Sequence, residues 1–141
     1  MIVLDTDHLS ILEWETGEDA QRLLSRLAQL ASDEAVTTII NFEEQMRGWL
    51  AYLARARTLT QQEAYRRLHK HLENYRTIPT LAFDVQAAAE FQRLRKSHRG
   101  VGTMDLKIAA IAITNDATLL SRNVADFCQI PELKVEDWTR P

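Results

Sequence analysis

The chain has 141 residues, 45% of them apolar, and carries 17 Lys and Arg against 20 Asp and Glu for a formal charge of −3; that length suffices for one domain with a buried core. A lone cysteine, Cys128, excludes a disulfide framework and a cysteine zinc cluster, and no apolar run approaches the roughly 18 residues of a membrane span. The opening Met1-Ile-Val-Leu-Asp5 lacks the charged lead and cleavage site of a signal peptide, so the cytoplasm is the expected location.

Taken in chain order, Ile2-Val3-Leu4 is a short apolar run that stops at Asp5 and leads into a helix from Thr6 to Glu13. A helix over 18–32 follows, then a β-branched second strand over 35–40. Asn41 opens a helix whose stripe is Phe42, Met46, Trp49, Leu50 and Leu53. Another helix runs from about Thr60 to Arg76. A third strand covers 78–83, with Pro79 among its first residues, and Asp84 begins a helix through Ala87, Ala88, Phe91 and Leu94. After the turn at 99–102, Thr103 caps an apolar helix to about Asn115, followed by a strand over 118–121, a short helix over 124–128 and a last strand over 133–135. Apolar strands alternating with helices predict an α/β fold with a parallel sheet covered on both faces. In such sheets ligands bind at the carboxyl ends of the strands.

Those ends carry acids or their amide relatives: Asp5 after the first strand, Glu43 and Glu44 in the helix after the second, Asn123 and Asp126 after the fourth. Asp105 joins them from the start of its helix, on the face of Ile108, Ala109 and Ala112, where an unpaired acid is costly. Each has a plain structural use as a helix cap or first-turn acid. Together they repel one another, and a cation relieves that repulsion. All-oxygen ligands without nearby His or Cys select Mg²⁺ or Mn²⁺ over zinc, and such an ion suits phosphodiester hydrolysis by metal-activated water.

The mild net acidity looks unlike a nucleic-acid protein, but the charge is unevenly laid out. Residues 1–20 hold six acids and no Lys or Arg, whereas 45–76 hold seven bases against Glu63 and Glu73, a net of +5. Arg93, Arg95, Lys96 and Arg99 form a second basic cluster with no acid from 91 to 100. The expectation is a basic rim around an acidic pit, with Arg47, Arg122, Arg95, Lys96 and Arg99 as candidate substrate contacts. His69 and His71 diverge on their helix and make no metal clip, His8 and His98 read as surface or supporting groups, and Cys128 reads as a small core residue.

The segments Met1-Ile-Val-Leu-Asp-Thr-Asp-His-Leu-Ser10, Thr38-Ile-Ile-Asn-Phe-Glu-Glu-Gln-Met-Arg-Gly48, Gly102-Thr-Met-Asp-Leu-Lys-Ile-Ala-Ala-Ile-Ala112 and Leu120-Ser-Arg-Asn-Val-Ala-Asp-Phe127 resemble, in order and spacing, the signatures of PIN-domain ribonucleases. The likeness is strongest to VapC-type toxins of bacterial toxin–antitoxin pairs and extends to the closing stretch 131–138. It implies a single PIN-like nuclease domain over 1–141, a three-layer α/β/α sandwich around a mostly parallel sheet. By this resemblance Asp5 is the first metal-binding acid. Glu44, four residues before Gly48, is the second and Asp105 the third, with Asn123 and Asp126 sharing the fourth place. Gly48 and Ala51 on the Glu44 side are expected to let that face approach the sheet closely. Thr6 and Ser121 are expected to orient water or phosphate. The family's usual Asp-Thr-Asn reads Asp5-Thr6-Asp7, which adds a charge near the metal or a helix cap. The implied activity is a Mg²⁺- or Mn²⁺-dependent endoribonuclease, the toxin of a type II pair, acting on tRNA or other structured RNA and leaving 5′-phosphate and 3′-hydroxyl ends. A VapB-like antitoxin offering a basic side chain is the implied protein partner, and a homodimer the implied assembly.

Two alternatives belong to other classes. An apolar run before Asp-x-Asp also opens the haloacid-dehalogenase phosphatases, but Leu9 stands where those want Thr or Val. A catalytically inert PIN-like module that binds RNA or protein keeps the fold without the chemistry.

Overall fold

The computed structural model describes residues 1–14 and 16–141, the Trp14 side chain excepted; the acid at position 15 lies outside the described residues. The elements are β1 (Ile2–Leu4), α1 (Thr6–Trp14), α2 (Gly17–Leu27), β2 (Ala35–Thr38), α3 (Ile39–Arg55), α4 (Thr58–Thr77), β3 (Thr80–Leu81), α5 (Val85–Ser97), α6 (Thr103–Thr114), β4 (Thr118–Leu120), α7 (Val124–Phe127) and β5 (Lys134–Glu136). The strands form one parallel sheet in the order β3-β2-β1-β4-β5. Val3 stands opposite Val36 on one side and Leu119 on the other. Strand order reverses between β1 and β4, and the crevice beyond their carboxyl ends is where such sheets take ligands.

Alternation along the strands builds the three layers. Val3 and Leu119 point into a core with Phe91 and Leu94 of α5, the apolar length of α6, and Phe127. Leu4 and Leu120 point the other way, against Leu9 of α1, Leu23 of α2 and the partly buried Tyr75 and Trp138. Helix α6 is buried from Ile108 through Ala112 without a gap, so the apolar stripe expected there is a fully enclosed helix. Among the described residues no helix is long and apolar enough to cross a membrane.

Several boundaries differ from the sequence expectation for identifiable reasons. The second strand stops at Thr38 because its hydroxyl accepts from the backbone N–H groups of Ile40 and Asn41 and starts α3 at Ile39, overriding the strand preference of two isoleucines. The third strand shrinks to Thr80–Leu81 at the sheet edge, since Pro79 has no N–H to donate, although its carbonyl still accepts from Thr37. Helix α2 ends at Leu27, before Leu30 and Ala31. Gly102, not Thr103, holds the N-cap position of α6. Cys128 is exposed, not a core residue, and Leu50 of the expected α3 stripe is 48% exposed.

Helix α4 clamps α3 through an aromatic stack. The Phe42 and His71 rings lie 5.1 Å apart and nearly parallel, with Tyr75 edge-on to Phe42, and the Tyr75 hydroxyl donates to Gln45 Oε1 at 2.5 Å. His71 is 2% exposed and neither ring nitrogen has a hydrogen-bond partner among the described residues. Burial therefore holds its pKa below the ordinary imidazole value. As pH falls below about 6.5 the unfolded chain takes up a proton that the folded ring resists, and stability is lost. His71→Phe is expected to raise stability by about 1 kcal/mol, because it removes unpaired polar atoms from an apolar stack. Its margin over the natural protein should widen as pH is lowered from 7 to 5; thermal melts across that range check both statements.

Candidate active site

Asp5 follows β1 directly and is 7% exposed. Its Oδ1 accepts from the Thr6 backbone N–H at 2.9 Å and from Asn41 Nδ2 at 2.8 Å, and its Oδ2 accepts from the Ser121 hydroxyl at 2.7 Å. Three segments thus meet on one carboxylate: the start of α1, the start of α3 and the end of β4. Asn41 is aimed by Thr38, whose hydroxyl donates to Asn41 Oδ1 at 2.7 Å and leaves the amide nitrogen facing Asp5 and Thr6.

Glu44 lies one turn further along α3 and accepts from the Thr6 hydroxyl at 3.0 Å, whereas Glu43 faces outward and pairs with Arg47. Across the crevice, Asn123 Nδ2 lies 3.3 Å from Asp105 Oδ2 and 3.2 Å from Asp126 Oδ2, so the amide stands between these acids. Asn123 occupies the N-cap position of α7 without capping it by its side chain. The structure therefore brings Asp5, Glu44, Asp105, Asn123 and Asp126 to one edge of the sheet.

These acids perturb one another. Burial raises the pKa of Asp5, with the Asp7 charge adding, against hydrogen bonds from Ser121, Thr6 and Asn41 that favour ionisation. Burial also raises Glu44, reinforced by Asp5, Asp105 and Glu43. Asp105 is pushed up to about 6 by burial and then by the charges of Asp5, Asp126 and Asp7. Among the described residues no three such side chains close into a tight ligand cage. The donor set is nonetheless all oxygen, and the ionisation of Asp5, Glu44 and Asp105 is disfavoured where they stand; that chemistry fits a hard divalent cation.

Other expected site residues are placed differently. The Thr6 and Ser121 hydroxyls give their protons inward, to Glu44 and Asp5, rather than outward to a substrate. Gly48 and Ala51 are exposed, and a Cβ at Gly48 meets nothing within 4 Å, so no close helix–sheet approach explains the small residues. Arg122 is bound to Asp19 and Thr139, and Arg93 to Glu90 and Glu132. Arg95, Lys96 and Arg99 line an open pocket of about 590 Å³ with Thr103 and Leu106 of the Asp105 helix. Asn41 has no site role in the sequence expectation, and His8, expected as a surface or supporting group, is fully buried and joined to Asp7. The Thr38-x-x-Asn41 spacing of a capping box is the signal that points to the first; nothing local points to the second.

A profile for the PIN domain matches residues 2–133. The chain belongs to the PIN-domain family. Over 43 residues this PIN domain is 49% identical to ribonuclease VapC19 of Mycobacterium tuberculosis, a stretch covering 30% of the chain and 34% of that protein, so the match spans about a third of that relative's length. Its fold is similar to a chain in VapBC-1 from nontypeable Haemophilus influenzae, with 25% identity and a TM-score of 0.74 over 99% of this chain and 100% of that one. It also resembles a chain of FitAcB from Neisseria gonorrhoeae, with 21% identity and a TM-score of 0.75 over the full length of both, a likeness of fold alone. Family membership displaces the haloacid-dehalogenase alternative.

The raised pKa of Asp105 has a definite sign for stability. Its charged form is penalised in the folded state, so the penalty is full above about pH 6 and fades as pH falls toward the ordinary carboxylate value of 3.8. In EDTA, Asp105→Asn is expected to melt above the natural protein at pH 7.5, with the gap shrinking by pH 4.5. A gap that grows on acidification refutes this account.

Proposed function

We propose that this PIN domain, as a single nuclease unit over 1–141, is the Mg²⁺- or Mn²⁺-dependent endoribonuclease toxin of a type II toxin–antitoxin pair, acting on tRNA or other structured RNA. One observation carries the proposal: Asp5, Glu44, Asp105 and Asp126, from four separate segments, face one crevice, where burial and neighbouring acidic charge disfavour the ionisation of Asp5, Glu44 and Asp105. Charges so arranged serve a cation better than they serve the fold. Relatives named ribonuclease VapC support the reaction class, and the VapBC complex from Haemophilus influenzae supports a VapB-like antitoxin as partner. A homodimer and a cytoplasmic setting complete the proposal.

A cation bound here would supply an activated water and offset charge on the phosphate, and the family resemblance implies 5′-phosphate and 3′-hydroxyl ends. Asp5, Glu44, Asp105 and Asp126 are the residues that would hold it. Asn123 keeps Asp105 and Asp126 apart and oriented through its amide, and Thr6 fixes Glu44 while accepting from Asn41. Arg95, Lys96 and Arg99 offer the RNA backbone positive charge beside the Asp105 helix. Arg47 and Arg122 are engaged in ion pairs and contribute less.

Purified protein is expected to cleave total tRNA with Mg²⁺ or Mn²⁺ and to lose that activity in EDTA. Asp5→Asn and Asp105→Asn should each reduce the rate at least as much as the about 10–100-fold typical of lost outer-shell partners. Cleavage that persists in EDTA refutes the mechanism. RNA binding without cleavage by the natural protein supports the inert-module alternative instead.

A further inference from the structure

Asp7 is the acid by which this chain departs from the family's Asp-Thr-Asn, and both its oxygens are engaged. Oδ1 lies 2.7 Å from His8 Nδ1, and Oδ2 accepts from the Arg122 backbone N–H at 2.9 Å. Asp7 Oδ2 also lies 3.3 Å from Ser121 Oγ, the same hydroxyl that donates to Asp5 at 2.7 Å. A hydroxyl has a single proton, and the Ser121 oxygen already accepts from the Asn123 backbone N–H at 3.0 Å. Asp5 and Asp7 therefore compete for one donor, and how well Asp7 is satisfied elsewhere decides which of them receives it.

His8 supplies that satisfaction. Its side chain is fully buried, and its Nε2 accepts from the Trp138 backbone N–H at 3.2 Å. A nitrogen that accepts carries no hydrogen, so the proton sits on Nδ1 and points at Asp7. The segment presenting that N–H is itself fastened. The Thr139 carbonyl accepts from Arg22 at 3.2 Å, its hydroxyl accepts from Arg122 Nε at 3.2 Å, and its N–H donates to Asp137 at 2.9 Å.

We propose that His8 is a positioning residue of the active site: set in its Nδ1–H tautomer by the Trp138 main chain, it saturates Asp7 and so keeps the Ser121 hydroxyl on Asp5. The proposal rests on the nuclease reading for what Asp5 does, while the hydrogen-bond chain is a property of the protein itself.

Long-range ¹H–¹⁵N correlation spectra of the full chain, labelled at histidine, test the tautomer without any substitution. His8 should show a protonated Nδ1 and a bare Nε2 at neutral pH; the reverse assignment overturns the proposal. Mn²⁺ titration calorimetry then separates the two ends of the ring. His8→Asn places an amide N–H near the Nδ1 position and should bind Mn²⁺ within about 2-fold of the natural protein. His8→Gln places an acceptor near Nε2 only and should bind about 10-fold more weakly, the scale of a lost outer-shell partner. Equal losses in the two variants indicate a packing role and overturn the proposal. In an Asp7→Ala background the competitor is gone, so adding His8→Gln should cost nothing more; additive losses overturn it. A natural protein that binds no Mn²⁺ refutes the nuclease reading alone. The decision on His8 then falls to the Ser121 hydroxyl-proton resonance, which should move in His8→Gln and stay in His8→Asn; the opposite pattern overturns the proposal.

Discussion

The structure depends on keeping one carboxylate, that of Asp5, ionisable at the bottom of a crevice where it is itself nearly hidden from water. Burial alone drives it toward neutrality, and three donors from the α1 N-terminus, the α3 N-terminus and the end of β4 act against that drive. Hydrogen bonds to a charged acceptor contribute roughly 1.5–3 kcal/mol each. They fall short here, since the pKa stays raised. The same bonds set the register of the surrounding elements. Thr38 ends β2 and aims Asn41, Thr6 begins α1 and aims Glu44, and Ser121 leaves the sheet where the Glu136 carbonyl takes its N–H.

Much of this was legible in the sequence because strand and site obey local rules. An apolar run that halts at an acid marks a strand and its carboxyl end together at Asp5, while Asp105 and Asp126 fall in the first turns of α6 and α7 and Glu44 lies one turn into α3. The illegible parts depend on contacts that residue type and spacing do not record. Ile39 and Ile40 have strand preference, and only the Thr38 hydroxyl, turned onto their own backbone, makes them helical. His8 has no flanking signal because the group that sets its tautomer lies 130 residues later. Gly48 invites a close-packing explanation that its open surroundings refuse.

Charge counts along the chain mislead in an instructive way. Four of the seven bases in 45–76 are paired on their own helices, Arg47 with Glu43, Arg66 and Arg67 with Glu63, and Arg76 with Glu73. Helical spacing of three and four brings these pairs together whatever the tertiary fold does. Among the described residues, Asp5, Glu44, Asp105 and Asp126 form no such ion pairs. Excess negative potential is thereby concentrated in the crevice, although residues 45–76 carry a net positive charge.

The strand order β3-β2-β1-β4-β5 places the first strand beside the fourth, and this bears on how the protein is made. Asp5 emerges from the ribosome 116 residues ahead of Ser121, and at about 5–20 residues per second that interval is roughly 6–23 s. Trp138 and Thr139 come later still. During that interval the nascent chain has its first acid and none of the groups that β4 and the segment after it bring to the crevice. Translation order alone thus delays assembly of the crevice until β4 and the segment through Thr139 have been synthesised, so the acids of the earlier segments wait for the groups that complete their surroundings.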